Sequence, residues 1–288
     1  ANLYWQDLLV KGFISQFSLT HNSNQEKGET YFDNNGFIAR PASIGTEISR
    51  GYEVSYLGYS GDGHLGRFNL STSAYYAFGK ENPGVFVREK TDIRAGFFAA
   101  ELSRDFDWIR PRASFLYASG DDDPFDSTAK GFDSIFENPQ FAGSDASYWI
   151  RQSVPLVGGG RVGLSSRNGV LNSLRSSKEQ GQSNFTNPGM VLAGIGVDMD
   201  ILPELRISAN WNSLHFADTA VLEVARNQAG IREHIGNELS VSAIYRPMIS
   251  QNIVLRASYS QLLPGKGFKD LFEDDRADYF FLNLLIAY

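Results

Sequence analysis

The sequence contains no cysteine among its 288 residues. A chain without thiols suits a compartment in which stray thiols are oxidised, such as the bacterial periplasm or outer membrane. Many cytosolic chains also lack cysteine, so this absence alone does not assign a compartment. No signal peptide begins at Ala1. The chain is therefore expected to be either a mature protein or a piece of something longer.

Long apolar runs are also missing. Ser, Arg or Asn interrupts the apolar stretches every second or third residue, so no window approaches the roughly 18 to 20 apolar residues of a membrane helix. This pattern excludes a helical membrane protein. The mean hydropathy of -0.26 does not exclude a membrane β-barrel, because the alternation of apolar and polar residues in barrel strands averages to a hydrophilic value.

The balance of charge and composition excludes other classes. A formal net charge of -7 argues against a general nucleic-acid binder. No Pro/Ser linker or break in composition divides residues 1–288, which predicts a single domain. No motif requires a cofactor. His215 and Ser213 lie two residues apart with no orienting partner in the sequence, so we predict that the protein is not an enzyme.

Strict alternation of apolar and polar residues predicts about ten β-strands. In the third of them, Phe68, Tyr76 and Phe78 share one face while Asn69 and Ser73 share the other. The glycines of Ser60-Gly61-Asp62-Gly63 predict a tight turn, and helical spacing predicts a short helix within 219–232. The predicted strands are 8–20, 52–59, 67–78, 93–102, 109–118, 191–200, 205–212, 239–246, 253–260 and 279–288.

The lengths of the connections favour a membrane barrel over a soluble β-sandwich. Odd-numbered connections are long and even-numbered ones have a few residues, as in outer-membrane barrels with long extracellular loops and short periplasmic turns. The second face, rich in Ser, Asn and Arg, would make a poor dry core. The predicted fold is an all-β, transmembrane antiparallel β-barrel. The long connections are 21–50, 79–92, 119–189, 216–237 and 264–278.

Aromatic residues at the ends of the apolar faces support a lipid bilayer as the surrounding medium. The final residue, Tyr288, resembles the C-terminal aromatic signature that bacterial outer-membrane proteins present to their insertion machinery. Both features predict the bacterial outer membrane as the location. The aromatics are Tyr76, Phe78, Tyr117, Trp211, Tyr245, Tyr259 and Tyr288.

The polar face of the predicted strands carries more arginines than acids. Arginines in a narrow lumen favour anions, so these side chains are predicted to line a pore. The alternative is that they pair with lumen acids, such as Asp198 and Asp200, and brace the barrel. The predicted pore-lining residues are Arg67, Arg110, Arg112, Arg206, Arg246 and Arg256.

The connection 119–189 is far longer than the usual loop of about 4 to 6 residues, so it is expected to have a function. It follows the strand of Arg110 and Arg112 and is predicted to fold over or into the pore mouth as a gate. Its acids could bind Ca²⁺, but they lack the spacing of an EF-hand, which favours a turn-forming run. No metal site is predicted. The gate candidates are Asp121, Asp122, Asp123, Asp126, Trp149, Arg151 and Arg175.

The loops contain several distinctive patterns, among them Gly120-Asp121-Asp122-Asp123-Pro124, Gly131-Phe132-Asp133-Ser134-Ile135-Phe136, Phe141-Ala142-Gly143, Tyr148-Trp149-Ile150-Arg151-Gln152 and Leu263-Pro264-Gly265-Lys266-Gly267-Phe268. These patterns resemble those of the alginate-export family of outer-membrane proteins. The resemblance implies an 18-stranded barrel with an arginine-rich conduit for an anionic polyuronate. Because about ten strands are predicted, the chain resembles the C-terminal portion of such a barrel. Either strands precede Ala1 or the barrel is smaller.

These observations predict an outer-membrane, porin-like channel for the passive passage of anionic or polar solutes. An anionic polysaccharide such as alginate is the cargo that the resemblance implies. The alternative is a structural or docking barrel within a larger cell-envelope assembly, with envelope proteins as partners. The long aromatic loops and the low strand count motivate that alternative.

Overall fold

A computed structural model describes residues 1–8, 10–24, 51–83, 86–134, 142–143, 153–155, 161–163, 185–249, 252–272 and 277–287. Short strands dominate this part of the chain, with two brief helices, α1 (Ala220–Arg226) and α2 (Lys266–Leu271). The strands are β1 (Asn2–Gln6), β2 (Phe13–Asn24), β3 (Tyr52–Leu65), β4 (Phe68–Glu81), β5 (Thr91–Ser103), β6 (Ile109–Ala118), β7 (Thr128–Ala129), β8 (Ser153–Pro155), β9 (Arg161–Gly163), β10 (Met190–Leu202), β11 (Leu205–His215), β12 (His234–Tyr245), β13 (Ile253–Pro264) and β14 (Ala277–Ile286).

One 12-stranded sheet contains all of these strands except β8 and β9, which pair with each other. Its order is β1-β2-β3-β4-β5-β6-β10-β11-β12-β13-β14, with every neighbouring pair antiparallel, and β7 adds a short parallel pairing to β5. This meander confirms the predicted all-β antiparallel fold and is consistent with an outer-membrane β-barrel. Neither helix in the described residues has the length and apolar character needed to cross a membrane.

The register of the ladders divides the side chains between two faces, because residues directly opposite each other in paired strands share a face. One such row runs across five strands. Gly196 lies opposite both Arg112 and Asn210. Ser240 lies opposite both Asn210 and Ser260. We call the face of these residues the inner face, and Ser260 on it is completely buried.

The opposite surface, which we call the outer face, carries large apolar side chains that are exposed. Ile195 lies opposite Ala113 and Trp211, and Trp211 lies opposite Leu239. Ile195 is 60% exposed, whereas a soluble protein normally buries such a row. The two faces are therefore arranged in the reverse of a water-soluble sheet, with polar residues covered and apolar residues uncovered.

Long and short connections alternate between the two ends of the sheet, as the sequence predicted. The long-connection end is where β2 is followed by β3, β4 by β5, β6 by β10, β11 by β12 and β13 by β14. The short-turn end is where β1 is followed by β2, β3 by β4, β5 by β6, β10 by β11 and β12 by β13.

Apolar clusters cover the inner face at the long-connection end. In the first, which we call the helix cluster, Leu192 and Leu214 of the sheet pack with Leu222 of α1 and with Phe268 and Leu271 of α2. The second, the loop cluster, joins buried residues of β3, β4 and β5 to β7 and to Phe185. The polar part of the inner face thus begins below a cap of apolar side chains.

Several predicted boundaries are wrong. Residues 60–63 are not a turn but part of β3, which runs on to Leu65. The glycines serve close packing instead, because a Cβ on Gly61 would lie 2.7 Å from the ring of Phe13. The turn is at 66–67, where Gly66 has a φ of +64°. The turn was predicted at the wrong position because glycine occurs in tight turns and also in strands against which a neighbouring segment packs closely.

The N-terminal hairpin was also missed. The predicted strand 8–20 begins too early, because β2 begins only at Phe13 and is preceded by a turn in which the Gly12 N–H donates to Asp7 Oδ1 at 2.5 Å. Leu8 and Val10 gave this turn the apolar character of a strand. β1 precedes it and pairs with β2. The fourth predicted strand, whose facing was ambiguous, has Glu101 on the inner face opposite Ser114 and exposed Arg94 on the outer face opposite Phe78.

We expect a charge at the centre of the outer face to destabilise the protein in a bilayer. Ile195→Lys should lower the free energy of unfolding from lipid vesicles by about 2–4 kcal/mol, because a lipid-facing cation is costly near the bilayer midplane. Met248→Lys, at an exposed position of a short turn, is the matched control and should change it by less than about 0.5 kcal/mol. Urea titration followed by tryptophan fluorescence measures both. Equal, small effects would show that the outer face contacts water.

Candidate functional site

A row of polar side chains crosses the middle of the inner face from β6 to β13. We call Arg112, Asn210, Ser240 and Ser260 the polar track. Arg112 Nη2 donates to Asn210 Oδ1, and Asn210 Nδ2 donates to Ser240 Oγ at 3.2 Å. Arg112 Nε and Ser260 Oγ are buried and have no hydrogen-bond partner among the described residues. Buried polar atoms without a protein partner are normally satisfied by water, so this row is suited to a hydrated space.

Arg112 is the centre of a charged network. Its side chain is only 6% exposed and lies 3.7 Å from Glu101 Oε2 and 3.3 Å from Asp198 Oδ1. Glu101 Oε2 also accepts a hydrogen bond from Ser114 Oγ at 2.6 Å. These contacts tie β5, β6, β10 and β11 together through one guanidinium group. Arg112 therefore fits the alternative stated in the sequence analysis, in which the arginines pair with acids of the lumen and brace the barrel.

Two further predicted arginines are paired nearer the short-turn end. Arg206 donates to Asp200 through Nε at 2.7 Å and through Nη2 at 2.8 Å, an arrangement in which both carboxylate oxygens are used. Arg110 pairs with Asp105 of the neighbouring turn. Both pairs are partly exposed, so they hold the rim of the inner face without closing it.

The other three predicted arginines differ in their placement. Arg256 lies on the inner face of β13, opposite Ile244 and Asn283. Arg246 is not in a strand, because β12 ends at Tyr245; it lies in the following short turn, and its buried Nε has no partner among the described residues. Arg67 is also not in a strand but in the exposed turn 66–67, so it belongs to the rim and not to the wall.

Part of the long connection 119–189 enters the inner face. The Ala142 N–H donates to Glu101 Oε2 at 3.1 Å, and the Ala142 carbonyl accepts from Asn212 Nδ2 at 3.3 Å. Gly143 has a φ of +71° and packs on Asn210 so closely that a Cβ would overlap the amide group. This segment is anchored on the polar track. Three of the gate candidates, Trp149, Arg151 and Arg175, lie outside the described residues.

The start of the same connection packs on the inner face through aromatic contacts. The Phe132 ring stacks on Phe97 with a centroid distance of 5.1 Å and meets Tyr56 edge to face at 6.2 Å. Tyr56 Oη donates to the Asp133 carbonyl at 2.7 Å. These partners could not be predicted from the sequence, since each contact joins residues far apart in the chain.

Two of the four acidic gate candidates, Asp123 and Asp126, form turns. Asp123 Oδ1 accepts from the Phe125 N–H at 3.0 Å and Asp126 Oδ1 from the Thr128 N–H at 2.6 Å, while exposed Asp122 pairs with Lys130 at 2.5 Å. Asp121 is buried, and burial raises the pKa of its carboxyl to about 6. Across the described ranges, no three His, Cys, Asp or Glu side chains converge in a way that would hold a metal ion.

The Arg112 network should contribute more to stability than the Arg206 pair. Arg112→Met leaves two carboxylates without their shared cation and should lower the free energy of unfolding by about 3 kcal/mol. Arg206→Met removes a partly exposed pair and should cost less than about 1 kcal/mol. Urea titration of each variant in the same vesicles measures the difference. Equal costs would contradict a central role for Arg112.

Asp121 should make the stability of the loop depend on pH. Its folded pKa of about 6 lies above the reference value of 3.8, so the native state holds this proton more tightly. The protonated Asp121 carboxyl therefore stabilises the folded state. This contribution is complete below pH 3.8 and is lost as the pH rises through about 6. Asp121→Asn should therefore raise the melting temperature more at pH 8 than at pH 5. Asp122→Asn, at an exposed position, is the control and should not reproduce this trend.

Comparison with known proteins assigns no family. No family model matches the sequence, and no curated protein matches it. Among solved structures, the chain is similar to a BenF-like porin from Pseudomonas fluorescens Pf-5, with 12% sequence identity and a TM-score of 0.40. The match covers 99% of this chain and 58% of the porin chain, so this chain spans little more than half of that protein's length. A likeness at this level does not assign a function.

Proposed function

We propose that the chain forms an outer-membrane barrel wall whose hydrated inner face passes small polar or anionic solutes passively. The reversed burial of its two faces is the observation that carries this proposal. Ser240, Ser258 and Ser260 are buried on the inner face, while Ile195, Leu239 and Val241 are exposed on the outer face. A water-soluble protein would gain nothing from this arrangement, whereas a bilayer around the outer face and water inside satisfy both surfaces.

Aromatic side chains on the outer face support a bilayer around the sheet. Tyr76 and Phe78 of β4 stack at 6.0 Å near the long-connection end, and Trp108 is 48% exposed at the short-turn end. Aromatic residues at both edges of an apolar band are typical of membrane barrels. With short turns in the periplasm, the long connections are extracellular.

The charges of the inner face favour a weak preference for anions. Arg110, Arg112 and Arg206 are paired with acids, so their fields are largely compensated. Arg246 and Arg256 have no ion pair among the described residues and lie near the short-turn end. These two side chains supply the positive charge outside close ion pairs that an anion would meet there. An anionic polysaccharide, the cargo implied by the resemblance to the alginate-export family, would require this same charge.

The apolar caps favour a second candidate function, a docking or structural barrel. The helix cluster and the loop cluster cover the long-connection end of the inner face with residues such as Phe268 and Phe185, which are almost fully buried. A wall that is closed at one end conducts poorly. An extracellular partner that binds the long connections would then be the functional ligand.

Planar-bilayer recording in asymmetric KCl distinguishes these functions. We expect discrete conductance steps with a reversal potential shifted toward that of chloride. The double variant Arg246→Gln/Arg256→Gln should lose this shift, because it removes the two cations that are outside close ion pairs. Arg232→Gln is the control, since Arg232 pairs with Asp270 at the opposite end at 2.5 Å and should leave selectivity unchanged.

Two results would change the assignment. Cation preference in the unmodified protein would overturn the anion component while keeping the channel. The absence of any conductance, together with co-purification of a stoichiometric envelope protein, would favour the docking barrel instead.

A further inference from the structure

A cavity of about 410 Å³ opens on the inner face of the first half of the sheet, between β1 and β6. Its volume lies within the range of roughly 300–1,000 Å³ that small-molecule sites occupy. The ladder register places its polar and aromatic lining on one face, since Gln16 lies opposite Ser60 and Ser60 opposite Ser73. The inner-face side chains that define it are Gln16, Ser60, Asp62, Ser73, Tyr75 and Phe97.

Hydroxyl groups form a connected set in this cavity. Ser60 Oγ lies 3.3 Å from Ser73 Oγ and 3.2 Å from Tyr75 Oη. Each hydroxyl can donate one hydrogen bond and accept others, and the amide of Gln16 adds both kinds of group. A ligand here must therefore offer donors and acceptors together, at several neighbouring positions.

An aromatic surface lies beside these hydroxyls. The Tyr75 ring packs against Gly58 so closely that a Cβ would overlap it, which lets the ring lie directly on the wall. Phe97 is next to it, with ring centroids 6.2 Å apart, and Phe97 in turn stacks on Phe132 of the long connection. The ligand thus meets apolar ring surface and hydroxyl groups within one cavity.

The charge of the cavity disfavours anionic ligands, which are the class that the arginines elsewhere on the inner face favour. None of the six arginines predicted to line a pore is among its lining residues, and the charged residue that lines it is Asp62. The Asp62 carboxylate accepts a hydrogen bond from the Ser71 hydroxyl and forms no ion pair with any residue that the structure describes. An anionic ligand would be repelled, whereas a neutral hydroxyl group would find an acceptor.

From these observations we propose that the cavity is a binding subsite for a neutral saccharide unit. A sugar ring carries alternating hydroxyl donors and acceptors on its edge and apolar C–H groups on its face, which match the Ser60, Ser73 and Asp62 groups and the Tyr75 and Phe97 rings, respectively. The proposal rests on the proposed function in one respect, since solutes would reach the cavity from the hydrated interior. It divides the inner face into a part lined by hydroxyl groups, aromatic rings and Asp62, for saccharides, and a part that carries the arginines, for ions.

Ligand-observed NMR on the full-length protein in detergent micelles tests this inference with maltotriose as the probe. We expect saturation transfer to the sugar C–H protons. Tyr75→Phe should weaken binding about fivefold by removing one hydrogen-bonding group, and Tyr75→Ala should weaken it more than about tenfold by also removing ring surface. Ser60→Ala serves as a second variant with little effect on packing. Tyr76→Ala is the matched control, because Tyr76 lies on the outer face.

The outcomes separate this inference from the channel. Equal or tighter binding of glucuronate than of maltotriose would overturn it, as would unchanged maltotriose binding in Tyr75→Ala and Ser60→Ala. No detectable maltotriose binding would also overturn it, even if the protein conducts ions. Binding without conductance would instead support the subsite and contradict the channel.

Discussion

Continuous antiparallel hydrogen bonding is the constraint on which the rest of this structure depends. Every strand of the main path except the first and last pairs with a neighbour on each side, so the backbone groups are satisfied within the sheet. A side chain then has a choice of only two faces, and the register fixes that choice across many strands at once. The reversed distribution of polar and apolar residues follows from this geometry and not from any single contact.

The inner face changes character from one end to the other. Apolar residues such as Leu192 and Val54 lie near the long-connection end, hydroxyl and amide groups occupy the middle, and Arg206 and Asp200 lie near the short-turn end. Because the middle contains buried polar atoms, Arg112 Nε and Ser260 Oγ, that lack partners among the described residues, water is its natural filling. The Arg112 network stiffens this middle zone, and the Ala142 segment uses the same Glu101 oxygen that Ser114 uses. The long connection is therefore tied to the wall at its most constrained point.

The period-two alternation was sufficient to predict the ten strands that follow β1 in the main path and the alternation of long and short connections, because both are local properties of the sequence. It was not sufficient where one residue type serves two purposes. Gly61 and Gly63 permit close packing inside β3 but looked like a turn, and Leu8 and Val10 lie in a turn but looked like a strand. α2 was missed because it occupies a stretch that reads as a polar loop, although Phe268 within it is fully buried.

The partners of the site residues could not be predicted, for a different reason. Arg112 contacts Asn210 and Asp198, which lie 98 and 86 positions away in the sequence. Such contacts depend on the cumulative register of several hairpins, so an arginine that is to be paired and one that is to be free look identical in the sequence. The distinction matters for the proposed channel, because an arginine in a close ion pair braces the wall while one outside such a pair presents its charge to the interior. In that proposal, the register of the ladders decides which arginines are held by acids and which are not.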